Sequence, residues 1–131
     1  MSRVPRVMEH LKTGFMAEAA SAARYRANAR RAAEAGLEKV AERWRDLAAA
    51  KDDLAILQLE AGGLVKDPAR SVADALSEER FENDVLYPKM IRDVDEDSAA
   101  VFRQVVEAQT EQAGQLEELR RDLQAASGDI G

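Results

Sequence analysis

Phe102 to Leu123 reads FRQVVEAQTEQAGQLEELRRDL. Within it Phe102, Val105, Gln109, Gln112, Leu116, Leu119 and Leu123 recur at alternating steps of three and four. That period sets all seven on one face of a helix packed against other helices. The outer members are apolar. The two central ones are glutamines, whose burial costs free energy unless each amide finds a partner. A seam that turns polar only at its middle predicts a site, present or former, inside a helical bundle.

Three more seams share this period. Leu11, Phe15, Glu18, Ala22, Tyr25, Ala29 and Ala32 form the first, with Glu18 as its acidic member. Val40, Trp44, Leu47, Lys51 and Leu54 form the second, interrupted by Lys51. Val72, Leu76, Glu79, Glu82, Leu86 and Met90 form the third, with Glu79 and Glu82 as neighbours on one face. The predicted helices cover about 6–35, 37–61, 71–94 and 98–125. Pro5 suits a first turn, and Gly36 suits a left-handed cap that joins helices one and two as an antiparallel hairpin. Helix two runs out near Gly62 and Gly63. Ser71 is the expected N-cap of helix three, and Asp95 or Asp97 that of helix four. Pro88, inside helix three, should kink it and free the carbonyl of Asp84. The tail after Ala126 reads as frayed. Four helices with short joints make an all-α four-helix bundle in a single domain.

Composition agrees. The chain has 131 residues, with Gly 7, Pro 3, no cysteine and 5% aromatics. That favours helices over sheet and excludes disulfides, thiolate metal sites and a cysteine nucleophile. A net charge of −6 disfavours nucleic acid as a partner, because neutralising phosphates needs a basic surface. The charge is uneven: residues 1–35 carry a balance of +4 and the remainder −10. No apolar run approaches the roughly 20 residues of a membrane span. Met1 to Lys12 lacks a signal peptide's apolar segment, so a cytoplasmic location and no membrane partner are expected.

Each seam carries its polar members near the midpoint of its helix. Midpoints meet at one level whether neighbouring helices run parallel or antiparallel. Glu18, Lys51, Glu79, Glu82, Gln109 and Gln112 are therefore expected to form one polar layer across the bundle. Three converging carboxylates repel and need compensation, either from a metal ion or from an internal cation with hydrogen-bond donors. Lys51 supplies a positive charge and three donors, and glutamine both donates and accepts.

Two local patterns carry a resemblance. Glu18 is followed seven residues later by Tyr25, and Glu79-Arg80-Phe81-Glu82 is followed by Tyr87-Pro88. Together with the helix lengths, these make residues 8–124 similar to the rubrerythrin branch of the ferritin-like di-iron carboxylate proteins. That resemblance implies a ferritin-like bundle, a homodimer and peroxide reduction at a di-iron centre. It also implies a Glu-x-x-His pair in helices two and four. Here those frames read Lys51-Asp52-Asp53-Leu54 and Gln109-Thr110-Glu111-Gln112. Of the ligand positions implied, only Glu18, Glu79 and Glu82 keep a carboxylate, and these are the metal ligands expected if a metal is bound. His10, the single histidine, lies two turns from Glu18. The cysteine cluster that many rubrerythrins append is also missing.

The first expectation is a metal-free, non-redox bundle without a cofactor, in which Lys51 neutralises the three carboxylates and the glutamines complete the hydrogen bonding. The second is an oxidoreductase with a remodelled carboxylate site for iron or another divalent metal. Tyr25 and Tyr87 either donate to the carboxylates or serve as core aromatics. Asp52 or Asp53 turning inward is a further alternative. Small alanines on helices one and two leave room for an organic ligand in the bundle core beside the polar layer. The connection 62–70 reaches about 30 Å if extended. That leaves a ferritin-like crossover, an up-down hairpin and an exchange between subunits all open.

Overall fold

The computed structural model describes residues 5–128, with side chains for 6–126. The described chain is all-α: α1 (Pro5–Glu34), α2 (Glu38–Ala61), α3 (Pro68–Phe81), a π-helical turn (Glu82–Leu86), α4 (Tyr87–Asp93) and α5 (Glu96–Gly128), with no strand among the described residues. It divides into two compact units, residues 1–65 and 66–131. The first is the antiparallel hairpin of α1 and α2. In the second, α3, the π turn and α4 together run antiparallel to α5.

The ends of α1 and α2 follow from glycine. Gly36 has φ +78 and Gly63 has φ +67, a region that costs other residues strain. At each, two backbone bonds fold back over the last turn and satisfy its orphan carbonyls. Leu37 N–H bonds Ala32 C=O at 2.9 Å, and Gly36 N–H bonds Ala33 C=O at 3.0 Å. Leu64 N–H bonds Leu59 C=O at 2.9 Å, and Gly63 N–H bonds Glu60 C=O at 3.0 Å.

The first hairpin packs on methyl groups. Ala22 and Ala29 of α1 and Ala41, Ala48 and Ala55 of α2 are buried, each set spaced by seven residues, and the buried Gly62 continues the second set. Side chains this small let two helices approach closely. The contact line therefore lies one position away from the expected seam. Val40, Leu47 and Leu54 are 44%, 50% and 43% exposed, while Trp44 and Lys51 are half-buried beside the alanine line. Tyr25 of α1 packs its ring on Trp44 at 5.0 Å between centroids.

In the second unit α3 begins three residues before the expected Ser71. Pro68 takes the first helical position, where its missing N–H is harmless, and Asp67 caps the helix by accepting from Arg70 N–H at 3.0 Å. A cap of this kind contributes about 1 kcal/mol. The Ser71 hydroxyl donates instead to the Lys66 carbonyl at 3.1 Å. The link between α2 and α3 is accordingly 62–67. Pro88 has no N–H to offer the Asp84 carbonyl, and the turn before it widens. Tyr87 N–H bonds Glu82 C=O, five residues back, so the expected kink takes the form of a π turn and the chain stays helical. Of the two candidate caps for α5, Asp95 serves: its Oδ1 accepts from Ser98 N–H at 2.8 Å. That bond holds the Asp95 carboxyl below the usual carboxylate range. The backbone of α5 continues to Gly128; the last three residues of the tail expected to fray lie outside the described residues. Val72, Leu76 and Ala99 are buried in this unit, and Tyr87 packs on Phe102 at 5.9 Å.

Candidate functional site

Each hairpin carries one polar pair near its midpoint. In the first, Lys51 Nζ lies 2.8 Å from Glu18 Oε2, with side chains 29% and 25% exposed. Residue 18 stands halfway along α1 and residue 51 just past the middle of α2, so antiparallel pairing brings them level. Contact with the Glu18 carboxylate raises the Lys51 pKa above its ordinary 10.5, against a smaller opposing effect of desolvation. Lys51 is thus a fixed ammonium at neutral pH rather than a nucleophilic amine.

In the second unit Gln109 of α5 donates from Nε2 to Glu82 Oε1 at 3.1 Å, a partly buried bond at the start of the π turn. Glu79 lies one turn earlier, half-buried. Glu79 Oε2, Gln109 Oε1 and Asn83 Oδ1 are buried without a hydrogen-bond partner among the described residues. The sequence reading passed over Asn83. Its one signal was its place four residues after Glu79, on the same helical face. Arg80 reaches across to Glu117 at 3.0 Å and closes the flank of α3 and α5.

Of the six expected layer residues, the hairpins pair Glu18 with Lys51 and Glu82 with Gln109, and leave Glu79 half-buried. Gln112 is exposed. The half-buried line of α5 runs through Phe102, Val105, Val106, Gln109, Ala113, Leu116 and Leu123. A straight helix drifts by about 20° per heptad from a strict seven-residue repeat, and here the drift turns Ala113 inward in place of Gln112. Neither tyrosine hydroxyl has a hydrogen-bond partner among the described residues. Both rings are half-buried and pack on aromatic neighbours. Asp52 does not join the polar pair: it forms an ion pair with Arg26 of α1, while Asp53 is exposed. His10 is exposed.

The residues present do not fit a di-iron centre. Of the positions at which the rubrerythrin resemblance implies ligands, 51 holds an ammonium already paired with Glu18, and 54 holds a leucine with no lone pair to give. At a third, Gln109 turns its amide donor toward Glu82. Among the described residues, no three histidine, cysteine, aspartate or glutamate side chains are grouped so as to hold a metal ion. No described helix is long and apolar enough to cross a membrane. No protein-family model matches the chain, and no curated protein sequence matches it.

Proposed function

We propose that the chain is a non-redox descendant of the rubrerythrin-like, ferritin-like four-helix bundle, with the Lys51 ammonium in the role that a metal ion has in a di-iron protein. The observation that carries this reading is the Lys51–Glu18 ion pair at the midpoints of α1 and α2. A half-buried carboxylate at that level needs a positive charge, and the chain supplies one from its own side chain. The Gln109–Glu82 bond supports it from the second hairpin, where an amide donor satisfies a carboxylate without a metal. The exposed row of Val40, Leu47 and Leu54, spaced by seven, supports the bundle: a regular apolar helix face is made to be covered. In this reading the protein is a cytoplasmic homodimer, working as a structural or binding protein rather than as a peroxidase.

A second reading rests on the three partnerless oxygens of the second unit. Glu79 Oε2, Asn83 Oδ1 and Gln109 Oε1 are acceptors that a cation would satisfy. A remodelled oxidoreductase would use Glu79 and Glu82 for a single divalent metal. The paired variant Lys51→Glu with Leu54→His separates the two. The first reading expects the variant to gain affinity for iron(II) or manganese(II) by at least tenfold over the wild type in calorimetric titration. Tight stoichiometric binding by the wild type, together with peroxide turnover, would instead favour the second.

A further inference from the structure

The first hairpin has a second flank. At about 100° per residue, Glu18 and Tyr25 fall on one side of the Ala22–Ala29 line, and Arg26, Arg30 and Ala33 on the other. On α2, Trp44 and Lys51 fall on one side of the Ala41–Ala48–Ala55 line, and Arg45, Ala49 and Asp52 on the other. The second flank is hollow. Arg26, Ala29, Arg30, Ala33, Arg45, Ala49 and Asp52 border a cleft of about 480 Å³ between α1 and α2, a size that suits a small organic molecule. The ligand space expected from the sequence lay on the other flank, beside the polar layer.

Three guanidinium groups face this cleft against one carboxylate. Two are steadied from α2: Arg26 by Asp52, and Arg45 by Glu38 at 2.7 Å. Each of those pairings uses one terminal nitrogen of a group that has five N–H donors, so most donors on both remain to be used. Arg30 has no ion-pair or hydrogen-bond partner among the described residues. Between the arginines the lining is methyl groups only, from Ala29, Ala33 and Ala49. Arginine forks match the paired oxygens of carboxylate and phosphate, whereas the methyl floor offers a polar group nothing.

We propose that this cleft binds a small organic oxyanion, its phosphate or carboxylate held by Arg30 with Arg26 and Arg45 and its apolar body laid on Ala29, Ala33 and Ala49. The site is independent of the Lys51–Glu18 pair and stands whether or not that pair replaces a metal.

The test is a titration of the full chain with phenyl phosphate, inorganic phosphate and benzyl alcohol, followed by the backbone amide NMR shifts. Phenyl phosphate is expected to give saturable shifts at residues 26–33 and 45–52. Inorganic phosphate, lacking the apolar body, is expected to bind more weakly, and benzyl alcohol, lacking the charge, to move nothing. Arg30→Gln removes an exposed side chain with no partner in the fold and should weaken phenyl phosphate about tenfold. Arg24→Gln, the same charge change on an exposed arginine outside the cleft, should leave binding unchanged. The proposal is overturned by an absence of saturable shifts at the cleft, by equal shifts from benzyl alcohol, by inorganic phosphate binding as tightly as phenyl phosphate, or by equal effects of the two variants.

Discussion

The Lys51 ammonium, 2.8 Å from Glu18 Oε2, is held protonated above its ordinary value of 10.5 by that carboxylate. The sign of the pH dependence follows. A raised folded-state pKa means stabilisation that is fully present below the unfolded value and is lost as pH rises through the folded one. Lys51→Ala is therefore expected to lower the melting temperature at pH 7 and 9, with the gap from the wild type narrowing above about pH 10.5. A constant gap across that range would mean that the pair contributes nothing through its charge. Asp95 acts with the opposite sign. Its lowered pKa makes the α5 cap a stabilising contact above the usual carboxylate range that fades as the pH falls through that range.

The elements show which sequence signals were sufficient. The turn at Gly36 was legible because a left-handed cap admits few residues besides glycine, and the end of α2 was legible from the adjacent Gly62 and Gly63, of which Gly63 takes the left-handed conformation. A cap at Asp95 or Asp97 and the disturbance at Pro88 were legible because each rests on one backbone group that has to be satisfied or is missing; the structure selects Asp95. The start of α3 was not, because Ser71 is as good a cap by type as Asp67, and only the proline at the first helical position decides between them. The first hairpin's contact line was misjudged for a different reason. A seam drawn through the larger side chains, Val40, Leu47 and Leu54, passes beside the alanines on which the two helices meet. Midpoint matching put 18 level with 51 and 82 level with 109 as members of one six-residue layer; within the hairpins those residues pair, whereas Gln112 is exposed, since helical drift moves it off the face that spacing alone assigns. The alanine line is testable at this scale. Ala48, 1% exposed, sits where two backbones pass closely, and Ala48→Leu is expected to destabilise by about 1–3 kcal/mol in denaturant unfolding. A change below about 0.5 kcal/mol, typical of surface positions, would remove the alanine line as the basis of the hairpin.

Over the whole molecule, no large side chain is fully buried among the described residues. The buried residues of the first unit are alanines and Gly62, and those of the second are Val72, Leu76 and Ala99, with larger residues half-buried around them. Apolar burial at about 25 cal/mol per Å² gives such a core limited stabilisation, so a covered Val40–Leu47–Leu54 row is what the proposed bundle would add. Leu47→Lys distinguishes the cases. At a position left exposed the change should stay within about 0.5 kcal/mol; under the proposed bundle it should cost about 2–4 kcal/mol and weaken the homodimer in sedimentation. Both proposals about the polar residues meet in one quantity, the metal content of the full chain after mild purification. If Lys51 stands in the metal's role, elemental analysis will find well under one equivalent of iron, manganese or zinc per chain. One equivalent or more, retained through purification, would contradict it.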